Sequence, residues 1–181
     1  MINRHTSLLA ALLHASGGEI IGAIRLQKIV YLLEQLGMGG EFWFSYHHYG
    51  PYSEDLAETL EYAEKLDRVI TRETMRSSTG SYDIYRLAQL PAQAPASLGA
   101  IPWDKAKSLI QDMKTETSVV IELSATIHWL RNKERITDWR DELKIRKPLK
   151  ATNQRIDRAL TLLGRLGLTD ADHGRIPIDR V

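Results

Sequence analysis

The 181-residue chain has no cysteine, only two phenylalanines, and a formal net charge of just +1. Without thiols, disulfide staples, thiolate nucleophiles and cysteine-ligated zinc are excluded together. The near balance of 24 Lys and Arg against 23 Asp and Glu creates no whole-molecule field toward nucleic acid or an anionic membrane, so such a partner would have to be met by a local patch. No window approaches the ~20 apolar residues of a membrane span. The opening MINRHTSLLAALLHASGG has an apolar run, Leu8 to Leu13, that is short for a signal core and follows Thr6 and Ser7, which read as a helix cap. The expectation is a cytoplasmic protein that does not engage membranes. Phosphate loops, the GxSxG elbow and HExxH are missing as well. The six histidines lack ligand spacing except at His47 and His48, and neighbours on a strand face opposite ways. No catalytic residue, metal or cofactor is expected.

What the chain does have is regular helical spacing and clear stops. Thr6–Ala15 reads as a helix ended by Gly17 and Gly18, and the segment IIGAIRLQKIVYLLEQLGMGG places Leu26, Ile29, Val30, Leu33 and Leu36 on one helical face before Gly37. Phe42 to Tyr46 is a strand candidate, and YGPYS turns the chain. Ser53 is a suitable N-cap for a helix reaching Leu66, with Glu54, Asp55 and Glu58 where the helix dipole favours negative charge. RVITRET and YDIYRLA then form a hairpin around MRSSTGS.

Pro91, Pro95 and Pro102 among small residues mark a linker, and helices follow at about 104–113, 118–131, 138–144 and 153–166, with Thr137 and Thr152 as caps. Whether residues 115–117 break the first two of these helices stays open. The order predicts a mainly α protein with a small β-hairpin or sheet, an α+β fold. Its expected parts are a winged-helix-like portion at 1–90, a Pro-rich linker at 91–103, a helical subdomain at 104–168 packed on the first, and an irregular tail at 169–181.

A DNA-reading winged helix carries Arg, Lys, Asn or Gln on its third helix. Here the stretch from Glu41 to Asp67 holds seven acids and one lysine, a surface a duplex repels. The hairpin is basic at Arg68, Arg72, Arg76 and Arg86. From Arg131 to Arg158, ten Lys or Arg face five acids, with Arg140, Lys144, Arg146, Lys147 and Lys150 at the peak. That segment reads as a solvated face, as a partner for the acidic helix within the chain or across a homodimer, or as a nucleic-acid patch. Asp55, Glu58 and Glu61 lie at helical spacing and supply the carboxylates for an alternative reading as a metal-dependent nuclease or hydrolase.

RLQKIVYLLEQLG, FWFSYHHYGPYSEDLAETLEYAEKLDRV and IELSATIHWL resemble the YwgA-like proteins of bacteria and archaea and, more loosely, the Panacea (SocA-like) domain. The matching positions are Leu26, Gln27, Lys28 and Tyr31, then Tyr49, Gly50, Pro51, Tyr52 and Ser53, and the match is densest over residues 20–70. The resemblance implies an antitoxin or adaptor that acts by direct contact with a toxin or defence component, and it supplies no catalytic residue. Alternation along the aromatic run puts Phe42, Phe44 and Tyr46 on one face. Gln27, Lys28 and Tyr31 fall off the apolar stripe of their helix, where they could latch the turn from inside or, with His47, His48, Tyr49, Gly50, Pro51, Tyr52 and Asp55, bind a protein partner.

Overall fold

The computed structural model describes residues 3–78 and 80–169, so most of the expected tail at 169–181 lies outside the described residues. The fold is α+β and mainly helical. It begins with α1 (Arg4–Ala15), β1 (Glu19–Ile21) and α2 (Ala23–Gln35), followed by the short strands β2 (Ser45–His47) and β3 (Gly50–Tyr52). Next come α3 (Glu54–Lys65), β4 (Ile70–Ser77) and β5 (Gly80–Leu87), then a tight pair, β6 (Ser97–Leu98) and β7 (Ile101–Pro102). Four helices complete the chain: α4 (Trp103–Lys114), α5 (Ser118–Asn132), α6 (Trp139–Arg146) and α7 (Asn153–Leu166).

Caps explain most of the boundaries. Ser53 accepts the Leu56 amide at 3.2 Å, Thr117 that of Val120 at 3.3 Å and Thr152 that of Arg155 at 3.4 Å. Thr117 thereby starts α5 afresh, and 115–117 is a true break. Two expected caps fail. Asn3, not Thr6 or Ser7, caps α1, and Thr6 is buried inside the helix. Asp138, not Thr137, precedes α6 and makes no capping bond.

The main sheet runs β1-β5-β4, all antiparallel, with Ile20 opposite Tyr85 and Ile70 opposite Leu87. The sequence reading missed β1, taking its isoleucines for the start of α2. The strand at the aromatic run also sits later than expected, because its partner is β3 across the turn, with Tyr46 opposite Pro51. Proline is tolerated there since the other edge of β3 is unpaired within the two-stranded sheet. The alternation itself holds, with Phe42 buried, Trp43 77% exposed, and Phe44 and Tyr46 half-buried.

The Pro-rich stretch ends in the β6–β7 hairpin, which is docked on the core. Leu98 and Ile101 are buried, and the Ala100 amide donates to the Gly37 carbonyl at 2.9 Å. Gly99 has φ +60, and a Cβ there would meet the Met38 carbonyl oxygen at 1.8 Å, so the contact demands glycine. One continuous apolar cluster links Leu9 of α1 to Leu166 of α7. At its centre lies α5, buried from Val120 through His128, including the polar Glu122, Ser124, Thr126 and His128.

Candidate functional site

The turn between β2 and β3 is held from beneath by polar groups of α2. Gln27 makes a reciprocal pair with Ser53: its amide donates to the Ser53 carbonyl at 2.9 Å, and its oxygen accepts the Ser53 N–H at 3.0 Å. Lys28 donates to the Pro51 carbonyl at 2.6 Å, and the Tyr31 hydroxyl lies 2.8 Å from His128 Nδ1. All three α2 side chains are buried, with Tyr31 fully enclosed beside Phe44 and Trp129, so they act on the turn from its inner side. Burial holds the Tyr31 hydroxyl pKa well above its ordinary value and lowers that of Lys28 to about 8. Gly50, at φ +85, passes so close to α5 that a Cβ would come within 2.7 Å of the Thr126 hydroxyl.

A second group of charges grips the turn from α5 and the segment after α6. Glu122, 2% exposed, accepts Lys147 at 2.9 Å and Lys150 at 2.8 Å, and Lys147 also donates to the His48 carbonyl. Lys150 lies 4.8 Å above the Tyr49 ring. A buried carboxylate is tolerable only when its lone pairs are taken up, and here two ammonium groups do so. Glu122 was missed from sequence, although it is the one formally charged residue between Thr117 and Leu130. A single acid in so apolar a helix was the available signal.

On the side of α2 the turn borders a cavity of about 410 Å³, enclosed further by α3, β4 and β5. Its walls include Ile24, Lys28, His47, Tyr52, Arg72 and Tyr85, and no Asp or Glu lines it. The other face of the turn is open to solvent. There Tyr49 is 46% exposed and Leu149, in a small groove with His48, 90%.

The peak of the basic segment, Arg146, Lys147 and Lys150, is turned toward carboxylates of the chain and not toward α3, while Lys133, Arg135, Arg140, Lys144 and Arg158 are exposed. Arg146 pairs with Glu134 at 2.6 Å and Glu142 at 2.6 Å, which holds its guanidinium pKa above the ordinary value. Lys147 and Lys150 serve Glu122, and Arg140 stacks 4.9 Å over Trp139, while Lys144 is exposed. In the hairpin, Arg72 pairs with Glu64 at 3.1 Å, and Arg68 and Arg76 are exposed. Within α3, Asp55 accepts the Trp43 amide at 3.2 Å and Glu61 holds Lys65 at 2.8 Å. Among the described residues no three His, Asp or Glu side chains are grouped to hold a metal ion.

Comparison with known proteins gives two clear similarities. The uncharacterized protein YwgA of Bacillus subtilis is 29% identical over 168 residues, spanning 92% of this chain and 98% of that protein. The likeness therefore extends well beyond residues 20–70. A DNA ADP-ribosyl glycohydrolase of Thermus aquaticus is 30% identical over 164 residues, 84% of this chain but only 42% of that much longer protein. No family model matches the chain. Among the described residues no helix is long and apolar enough to cross a membrane.

Proposed function

We propose that the protein is a YwgA-like, winged-helix-like protein-interaction module of bacteria that binds a protein partner through the outer face of the β2–β3 turn. The observation that carries this reading is a contrast within a few residues. The inner face of the turn is fixed by Gln27, Lys28 and the Glu122-held Lys147, while Tyr49 on the turn and Leu149 beside His48 are exposed. Pre-ordered aromatic and aliphatic groups bind without a large entropic penalty, and they are typical interface anchors. The glycohydrolase similarity supports a modular role, since less than half of that protein matches and the remainder of its length lies outside the match. A setting in toxin neutralisation or phage defence, as the Panacea resemblance suggests, is the form of partnership we favour.

A DNA-binding regulator is the second reading, and it would use exposed cations such as Arg68, Arg76, Arg140 and Lys144. It is weaker because Arg146, Lys147 and Lys150 are already held by internal carboxylates. A nuclease built on Asp55, Glu58 and Glu61 is weaker still, because two of these acids are engaged locally.

The test is co-purification of the tagged protein with the products of its neighbouring genes, compared with a Tyr49→Ala/Leu149→Ser variant. Loss of a stoichiometric partner at unchanged melting temperature supports the interface. A partner retained by the variant sinks it, and retention on duplex DNA that falls with salt and with Arg68→Ala/Arg76→Ala would favour the regulator.

A further inference from the structure

Lys28 is the most unusual charge in the molecule. It is 1% exposed, makes one hydrogen bond, and has no carboxylate within ion-pair distance among the described residues. An ammonium has three donors, so two remain unused. The nearest charge able to compensate it is Glu122, whose oxygens are already occupied by Lys147 and Lys150. Three lysines thus share one carboxylate, and the region carries an excess of buried positive charge. Arg72, the other cation on the cavity wall, is committed to Glu64.

Lys28 forms part of the wall of the 410 Å³ cavity, whose other lining is largely aromatic and aliphatic. Tyr52 packs against His47 with ring centroids 5.0 Å apart, and Tyr85, Ile24 and Leu60 complete the walls. The space is in the range of small-molecule sites, which are apolar with a few placed polar groups. With cations and no carboxylate on its walls, the cavity attracts negative charge that the chain itself does not supply there.

We propose that this cavity is a binding site for a small aromatic anion, a phosphate or carboxylate carried on a planar ring, with the anionic group at Lys28 Nζ and the ring against Tyr52 and Tyr85. The site adjoins the outer face of the turn, since Tyr49 belongs to both, but the proposal does not depend on the protein-interaction reading. His48 lines both the cavity and the small groove beside Leu149, so ligand occupancy would be felt next to the proposed interface.

The test is titration calorimetry on the full chain with adenosine monophosphate, phenyl phosphate and benzoate, using adenosine and inorganic phosphate as controls. Saturable binding of at least one aromatic anion is expected, at least tenfold tighter than adenosine or inorganic phosphate. Which of the three binds best separates a nucleotide from a simple aryl phosphate or carboxylate. Lys28→Met should weaken that binding at least tenfold. Because this variant also loses the bond to Pro51, Ala57→Leu provides a second route, filling the cavity from α3 without touching the latch. It should abolish binding at an unchanged melting temperature. No saturable binding of any aromatic anion at millimolar concentration, equal affinity for adenosine, or full binding by Ala57→Leu would each overturn the proposal.

Discussion

The acidic helix α3 and the basic segment 131–158 are opposites in composition, and pairing one with the other is the simplest use for both. The structure uses them differently. Three cations at the peak of the basic segment, Arg146, Lys147 and Lys150, are taken up by acids near them in space, Glu122, Glu134 and Glu142, while five others stay exposed. Helix α3 keeps Glu54, Asp55, Glu58 and Glu61 exposed on the face opposite Leu56, Leu60 and Ala63. Net charge along a stretch of sequence therefore does not reveal whether its charges face solvent or hold the fold together. One buried carboxylate on another helix, Glu122, decides the matter for the basic half.

That comparison is broken most forcefully at Glu122. Replacing Glu122 with Gln leaves the buried Lys147 without its counter-ion, and breaking such a pair typically costs about 3–5 kcal/mol. Chemical denaturation should show a loss of this size, together with release of the turn that Lys147 holds.

Lys28 gives the next effect. Burial lowers its pKa from 10.5 to about 8, so between these values the unfolded chain holds a proton that the folded chain has released. Stability should therefore rise with pH across that window, by on the order of 3 kcal/mol relative to Lys28→Met. The raised pKa of Tyr31 works the other way once unfolded tyrosines ionise above pH ~10. Denaturation midpoints of both proteins from pH 7 to 10 would show the rise, and parallel curves would refute it.

Gly50→Ala comes third. It places a Cβ at positive φ against Thr126 and should cost about 1–3 kcal/mol. The smallest effect is expected on the acidic side, where Glu58→Gln on the exposed face of α3 should change stability by no more than about 0.5 kcal/mol. A large loss there would show that α3 carries a structural charge after all.

Helices were the most legible part of the sequence, because apolar spacing and caps such as Ser53 and Thr152 act locally, whereas the Thr117 cap emerged only in the structure. Strands were less so. β1 has only three residues and is defined by its pairing with β5, far along the chain, and β2 was displaced because Gly50-Pro51 looks like a turn rather than a strand. The latch residues Gln27, Lys28 and Tyr31 could be picked out because they interrupt an apolar stripe. Their partners could not, since no local pattern links Lys147 to Glu122 or to the His48 carbonyl. The cavity wall likewise joins Ile24, Leu60 and Tyr85 from three elements, a coincidence only the folded chain creates.

Residues 88–97, between β5 and the docked β6–β7 hairpin, are exposed throughout, whereas the segments on either side are pinned to a common core. A protease would therefore find its substrate where cleavage matters least. The two pieces would stay joined by α2 against α5, by the bonds of Arg25 to the carbonyls of Lys114 and Glu116 at 3.1 and 2.9 Å, and by the close approach of Gly99 to the Met38 backbone. Severed there, the chain would behave as a heterodimer of its own halves, with the turn, the latch and the cavity still assembled.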